Sequence, residues 1–486
     1  MNLLNKKIAF ILFLVLISNC KPEFPRSNVP SSILGLLLNE KGVSPQPNGG
    51  NNQTTEITLT YSQASVILMQ NTSSKITPQF NGLIKSCTSS PVLPTGLSIN
   101  QSTCEITGTP TTTQTSKSYT ITARSDEKSI STQLDIYINF RTDWSVMQPI
   151  ITSQSALGVS AGETTGSFGT LGAATSKWVG GVLAPNGKIY GIPFNSPDVL
   201  VIDPTTNTAS TFTGITGTSK WPGGVLAPNG KIYGIPLTVT SILVIDPSND
   251  TVSTFGNLSG ADKWIGGVLA PNGKIYGIPF DSTEVLVIDP STDTATTFGS
   301  LPNIPSNNKW VGGVLAPNGK IYGIPYSSDK VLVIDPNTNT ASTFGSVGVG
   351  TVKWSSGALG PNGKIYCVPN SDGNILVIDP NNNSTSFFAG IAGANKWRGG
   401  AIAPNGRVYG ASYSINSIIS INTTTEVAST FGTPGAGTVK FQGSVLAPNG
   451  IIYSIPRDNT TIFFVDSKSN GVWPIDFYHS PYFNKL

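Results

Sequence analysis

The chain writes nearly the same seventeen residues three times in succession: KWVGGVLAPNGKIYGIP from Lys177 to Pro193, KWPGGVLAPNGKIYGIP from Lys220 and KWIGGVLAPNGKIYGIP from Lys263. Looser copies follow, so that an aromatic after lysine recurs at Trp178, Trp221, Trp264, Trp310, Trp354, Trp397 and Phe441, spaced 43, 43, 46, 44, 43 and 44 residues apart. A period of about 40–45 residues built from short strands is the pattern of a propeller blade. Each unit divides into four expected strands, such as WVGGVLA, KIYGIP, VLVIDP and ASTF in the first.

The joints between these strands have physical reasons. PNG puts Gly where a tight hairpin needs φ > 0, and DPTTNT uses Asp and Pro to start a turn. The Gly-Gly pair in the first strand permits close packing near the axis, where every blade tapers. One four-stranded blade cannot cover its own faces, whereas seven in a ring bury one another. The expected fold is therefore all-β and ends in a seven-bladed β-propeller. Two segments compete to complete the last blade: TTGSFGTL (Thr164–Leu171) from the N-terminal side and GVWPIDFY (Gly471–Tyr478) after the last repeat. The N-terminal one matches the fourth-strand pattern and is favoured.

Charged residues make up only 11% of the 486, with 52 Gly and 35 Pro, a profile of short strands and turns. A net charge of +3, with no basic cluster beside stacking aromatics, argues against nucleic acid as a partner. The N-terminus has Lys6 and Lys7 before the apolar run Ile8–Ile17, a pattern of export. The run ends ISNC, which resembles the lipobox of bacterial lipoproteins in its relaxed, spirochaete-type form. That resemblance implies that Cys20 is lipidated, making the membrane a partner through a lipid anchor. It also implies an envelope location at the outer membrane, facing either the periplasm or the cell surface. The expected organisation is a signal peptide over 1–20, a tether over 21–55, an Ig-like β-sandwich over 56–140, a linker over 141–159 and the propeller over 160–486. Ile33–Leu38, within the tether, is too short to span a bilayer.

Over 56–140, short alternating runs such as EITLTYS and TQLDIYINF are separated by Pro, Gly and Asn turns. LPTGLSINQSTCEITGTPT, Leu93–Thr111, resembles the core pattern of the Putative Ig family of bacterial surface proteins, whose modules act as spacers or adhesion units. Cys104 departs from that pattern, which often has Gly there. Export permits disulfides, so Cys87 and Cys104 are expected to pair, the alternative being two free thiols. Cys367 replaces the Gly of KIYGIP and reads as a small buried apolar residue.

The PNGKIY hairpin and VLVIDPxTNT turn resemble the YVTN/virginiamycin-lyase-like class of bacterial propellers over about residues 160–486. That class holds enzymes and non-enzymes, so the resemblance implies an architecture and no reaction. A lyase needs a general base, and the single histidine, His479, follows the last repeat and reads as a solvated surface residue. Asp203, Asp246, Asp289, Asp335 and Asp379 each precede Pro and read as turn initiators. NSDGN, from Asn370, lacks the spaced ligands of a calcium loop. No catalytic residue, metal site or cofactor is expected.

Two lysine series recur. Lys177, Lys220, Lys263, Lys309, Lys353, Lys396 and Lys440 precede the aromatic, and Lys188, Lys231, Lys274, Lys320, Lys364 and Arg407 follow PNG. Either is a basic ring able to attract anionic polymers, or its stems cover apolar blade surface with their heads in water. The Trp series reads mainly as packing between blades. The connection between second and third strands varies most, and its residues Phe194, Asp198, Phe280, Asp281, Glu284, Tyr326, Asp329, Tyr413 and Arg457 form the candidate ligand-binding face. The functional expectation is an adhesin-like binding module for a protein or glycan, presented on an Ig-like spacer. The alternative is a lyase- or lactonase-type enzyme using the central channel.

Overall fold

The computed structural model describes residues 57–483 apart from the stretches 62–64, 70–72, 113, 140–143, 160–161, 213–214 and 302–306. The signal peptide, Cys20, the tether and Ile33–Leu38 lie outside the described residues.

Residues 57–139 form a small sandwich. A four-stranded sheet runs in the order Ser65–Met69, Ser129–Asn139, Gln114–Arg124, Ser86–Ser90, and faces the shorter strands Ser74–Ile76, Ile106–Gly108 and Leu97–Ile99. Alternation along the long strands sends Tyr119, Ile121, Leu134 and Ile136 into one buried core with Leu59 and Ile106. Cys87 and Cys104 are disulfide-bonded within it, and Tyr61 Oη donates to the Cys104 carbonyl at 2.7 Å.

The next described element is the helix Trp144–Ala156, which lies where a linker was expected. Met147 and Ile151, four residues apart on one face, are buried and give this Ser- and Gln-rich segment its reason to be helical despite Pro149.

Seven four-stranded antiparallel sheets follow. In the first blade the strands run in order from Trp178–Leu183 through Ile189–Pro193 and Val199–Asp203 to Thr208–Phe212. The seventh blade combines Phe441–Leu446, Ile451–Pro456 and Ile462–Asp466 with Thr164–Phe168 from the other end of the chain. The N-terminal strand thus completes the ring. Gly471–Tyr478 instead leads into a short 3-10 helix, Ile475–His479. First strands of neighbouring blades pack side by side around the whole circle, the last against the first.

The Gly-Gly pair does more than taper the blade. Its first glycine has positive φ in most copies and sits where the pairing of first and second strands slips register. A Cβ on Gly399 would lie 2.5 Å from the Cα of Gly443, and one on Gly443 would lie 2.8 Å from that of Gly180. At these two joints backbones therefore meet near the axis where no side chain fits, whereas the fifth blade carries Ser356 at the same position.

Two kinds of joint lock each blade to the next. On the PNG side, Asn186 Nδ2 donates to the Pro247 carbonyl of the following blade at 2.9 Å. Tyr190 Oη donates to Asp250 Oδ1 at 2.7 Å. The same Asn and Tyr positions repeat the grip around the ring, and Asn449 and Tyr453 close it on Pro204 and Asn207 of the first blade. In the sixth joint Asn405 reaches Ser467 while Tyr409 reaches Glu163, so both chain ends complete one clasp.

Candidate functional site

The opposite side of the ring is organised by backbone. The residue after the second strand is Phe194, Leu237, Phe280, Tyr326, Asn370, Tyr413 or Arg457, blade by blade. Each donates its N–H to the carbonyl of its own blade's Lys and accepts the N–H of the next blade's Lys, with all distances between 2.7 and 3.1 Å. The last link, from Lys177 N–H to the Arg457 carbonyl at 2.9 Å, closes the circle. These positions are therefore held on a rigid rim.

The lysines of this rim are not a charged surface ring. All are buried, and their Nζ atoms donate to loop carbonyls: Lys220 to Ser196 at 2.9 Å and Gly217 at 2.7 Å, Lys396 to Asp372 at 2.9 Å and Gly393 at 2.6 Å. Six of the seven join the preceding blade's loop to their own, and Lys309 reaches the Asp281 carbonyl of the preceding one. Both sequence readings of this series, anion ring and water-directed heads, give way to a structural one. Burial lowers the affinity of these ammonium groups for their proton, bringing Lys396 to about 8. Each Trp indole donates to a carbonyl in its own blade, as Trp178 does to Asp198 at 2.8 Å, so it anchors the variable loop as well as packing. In the second lysine series, Lys274 and Lys320 pair with Asp289 and Asp335 at 3.3 and 3.2 Å, so at these sites the charge is compensated.

Along the rim the varied side chains converge. Phe280 and Tyr326 have ring centroids 6.0 Å apart. Arg398 donates through Nη2 to Tyr326 Oη at 3.0 Å and lies 4.0 Å above the Tyr413 ring. Arg457 lies 5.9 Å from that same ring and 5.4 Å from Phe194, and its Nη1 donates to Gln442 Oε1 at 2.5 Å. The result is a continuous arc of aromatics joined by two guanidinium groups. Burial raises the Tyr326 hydroxyl above its usual range. Burial, then the Arg398 charge, lowers Arg457.

Five of the expected face residues belong to this arc: Phe194, Phe280, Tyr326, Tyr413 and Arg457. The four acids do not. Asp198 lines a separate groove with Leu171, Trp178 and Ala209. The Asp281 carboxylate accepts the Asn308 N–H, and the Asp281 carbonyl accepts Lys309 Nζ. Glu284 is exposed and accepts from Thr297 Oγ1 at 3.0 Å. The Asp329 carbonyl accepts the Val347 N–H.

Arg398 and Gln442 were missed because they sit inside a strand. The residue after Lys-Trp is Val179, Pro222, Ile265, Val311, Ser355, Arg398 and Gln442 in turn. That drift from apolar to polar within near-identical repeats was the available signal.

The other end of the ring is covered. Gln148 of the helix reaches the Pro361 carbonyl, Ser155 packs at Gly406, and the tail brings Trp473, Phe477, Tyr478 and Tyr482 into the core. His479 is not a solvated surface residue: it is half-buried there, with Nε2 3.2 Å from the Ala184 carbonyl, and burial lowers its pKa. Cys367 is buried too, and burial pushes its thiol up. Among the described residues no group of three or more His, Cys, Asp or Glu could hold a metal ion.

Residues 45–139 match the family model described as Putative Ig domain. No curated protein matches the chain. Among solved structures, a streptogramin B lyase matches at 14% identity with a TM-score of 0.52, covering 62% of this chain and 97% of its own. A catalytically inactive histidine-to-alanine variant of virginiamycin B lyase from Staphylococcus aureus, with quinupristin, matches at 12% identity and TM-score 0.55, covering 63% and 99%. The extracellular domain of a hybrid two-component system from B. thetaiotaomicron matches at 9% identity and TM-score 0.50, covering 73% and 46%. At these identities the likeness is one of fold. The chain carries an Ig-like domain followed by a propeller similar in fold to the virginiamycin B lyases.

Proposed function

We propose that this chain is a lipid-anchored envelope protein whose propeller binds a macromolecular ligand, protein or glycan, at the rim of its variable loops, with the Ig-like domain as spacer. The observation that carries the reading is the arc Phe280–Tyr326–Arg398–Tyr413–Arg457–Phe194 on a hydrogen-bonded frame. Rigid aromatics with adaptable polar neighbours give contact area at small entropic cost. Lys6, Lys7, the apolar run Ile8–Ile17 and Cys20 support the anchor. A lyase- or lactonase-type enzyme would need a base other than His479, which belongs to the covered end.

Arrays of glycans and matrix proteins probed with the full chain test this. Binding by wild type that is lost in Phe194→Ala and Tyr413→Ala supports the reading. Binding that both variants retain, with unchanged melting, overturns it.

A further inference from the structure

Three departures from the repeat fall in one place. Arg398 stands where four other blades have Val, Pro or Ile, Gln442 occupies the same position one blade on, and Arg457 stands where other blades have Phe, Leu, Tyr or Asn. Their side chains meet around Tyr413, with both guanidinium groups over one neutral ring and Gln442 bonded to Arg457. An aromatic ring attracts a guanidinium without cancelling its charge. Among the described residues neither arginine forms an ion pair. The nearest acid in sequence, Asp458, accepts the Ser176 N–H through Oδ1, and its charge acts on Arg457 without forming an ion pair with it.

The donors are partly used. Arg398 Nη2 goes to Tyr326, and its Nε is buried without a partner among the described residues. Arg457 Nη1 goes to Gln442 and Nε to Ser176 Oγ at 3.3 Å. Among the described residues one terminal nitrogen on each arginine, Nη1 of Arg398 and Nη2 of Arg457, has no hydrogen-bond partner. Two like charges on a shared platform repel each other, and an oxyanion accepting from both relieves that repulsion while forming charge-assisted hydrogen bonds. The rings of Phe194 and Phe280, partly exposed on either flank, offer flat apolar faces.

The geometry points to an anion subsite at Arg398 and Arg457 that takes the carboxylate of an acidic sugar, with the sugar ring lying against the flanking aromatics. This rests on the reading of the rim as the binding face and names its ligand class.

Calorimetric titration of the full chain with short glucuronate oligomers, and with the same oligomers after carboxyl reduction, tests it. The acidic oligomers should bind, more weakly as salt rises, and the reduced ones should bind at least about tenfold more weakly. Arg398→Gln and Arg457→Gln should each lose about tenfold in affinity with unchanged melting, and Arg398→Lys, which keeps the charge and loses the stacked fork, should fall between. Equal binding of reduced oligomers, no binding of the acidic ones, or indifference to both Gln variants overturns the subsite. So does selective binding of a peptide through its C-terminal carboxylate, which would give the arginines to a protein ligand. Where Phe194→Ala and Tyr413→Ala abolish array binding but the Gln variants do not, the binding face stands and the anion subsite alone falls.

Discussion

Tyr190 Oη donates to Asp250 Oδ1 at 2.7 Å across the boundary between the first and second blades. Asn186 Nδ2 lies 2.9 Å from the same tyrosine oxygen and 2.9 Å from the Pro247 carbonyl. The PNGKIY string is therefore a clasp on the neighbour's Asp-Pro turn, which explains why one chain repeats both motifs together.

The clasp has a measurable strength. Tyr190→Phe removes the donation to Asp250 and the acceptance from Asn186 while leaving Asn186 on Pro247, so it should cost about 2 kcal/mol. Asn186→Ala removes two donations and the acceptance of the Lys188 N–H and should cost about as much. Urea midpoints of the two variants check this; a Tyr190→Phe midpoint equal to that of wild type, as expected if the tyrosine merely filled space, would contradict the clasp.

Ring closure depends on Phe168, whose ring lies 6.1 Å from Tyr453 and 6.3 Å from Phe464. Phe168→Ala should lower stability by about 2–3 kcal/mol, because the half-buried ring ties the N-terminal strand to the seventh blade. Val472, in the segment that competed for this place in the sequence, is 66% exposed. Val472→Ala should leave the melting temperature unchanged. Comparable losses from both substitutions would contradict the closure described.

The pH dependence has two limbs. Buried lysines have folded-state pKa values below the usual 10.5, Lys396 at about 8, with burial the first cause. Between the two values the unfolded lysine holds a proton that the folded one has released, so stability rises with pH over that window. Tyr190, Tyr366 and Tyr409 are raised above 10.0 by burial, Tyr366 to about 12. Above about pH 10 the unfolded tyrosines ionise first, and stability falls. Thermal melts should therefore peak between about pH 9 and about pH 10. A steady fall from pH 8 would contradict the burial of the lysine ring.

The Cys87–Cys104 bond closes a loop with a sequence separation of 17. Replacing both with Ala should cost the Ig-like domain about 3 kcal/mol by freeing its unfolded chain. Reductant should shift the same transition in calorimetry and leave the propeller transition in place.

The architecture was legible because the repeats state their turns and strands outright: PNG, Asp-Pro and alternating Val, Leu and Ile admit few other readings. Pattern could not tell a strand from a tail in GVWPIDFY, since its apolar residues read like a short strand and yet Trp473, Phe477 and Tyr478 pack into the core at the covered end. The lysine ring was misread because charge normally marks surface; nothing local shows that carbonyls from two loops will converge on one Nζ. Of the candidate site, the five rim residues were readable from loop variation. Arg398 and Gln442 were not, because a lone polar residue in a strand position becomes meaningful only when blades bring Tyr326, Tyr413 and Arg457 beside it.

Hydrogen–deuterium exchange of the full chain with and without a saturating array-positive ligand tests directly whether the variable rim is the binding face. Added protection should be confined to the variable loops, around Phe194, Phe280, Tyr326, Tyr413 and Arg457, with the PNG hairpins and the Ig-like domain unchanged. Protection confined to the PNG side or to the Ig-like domain, with the rim exchanging as before, would contradict that reading.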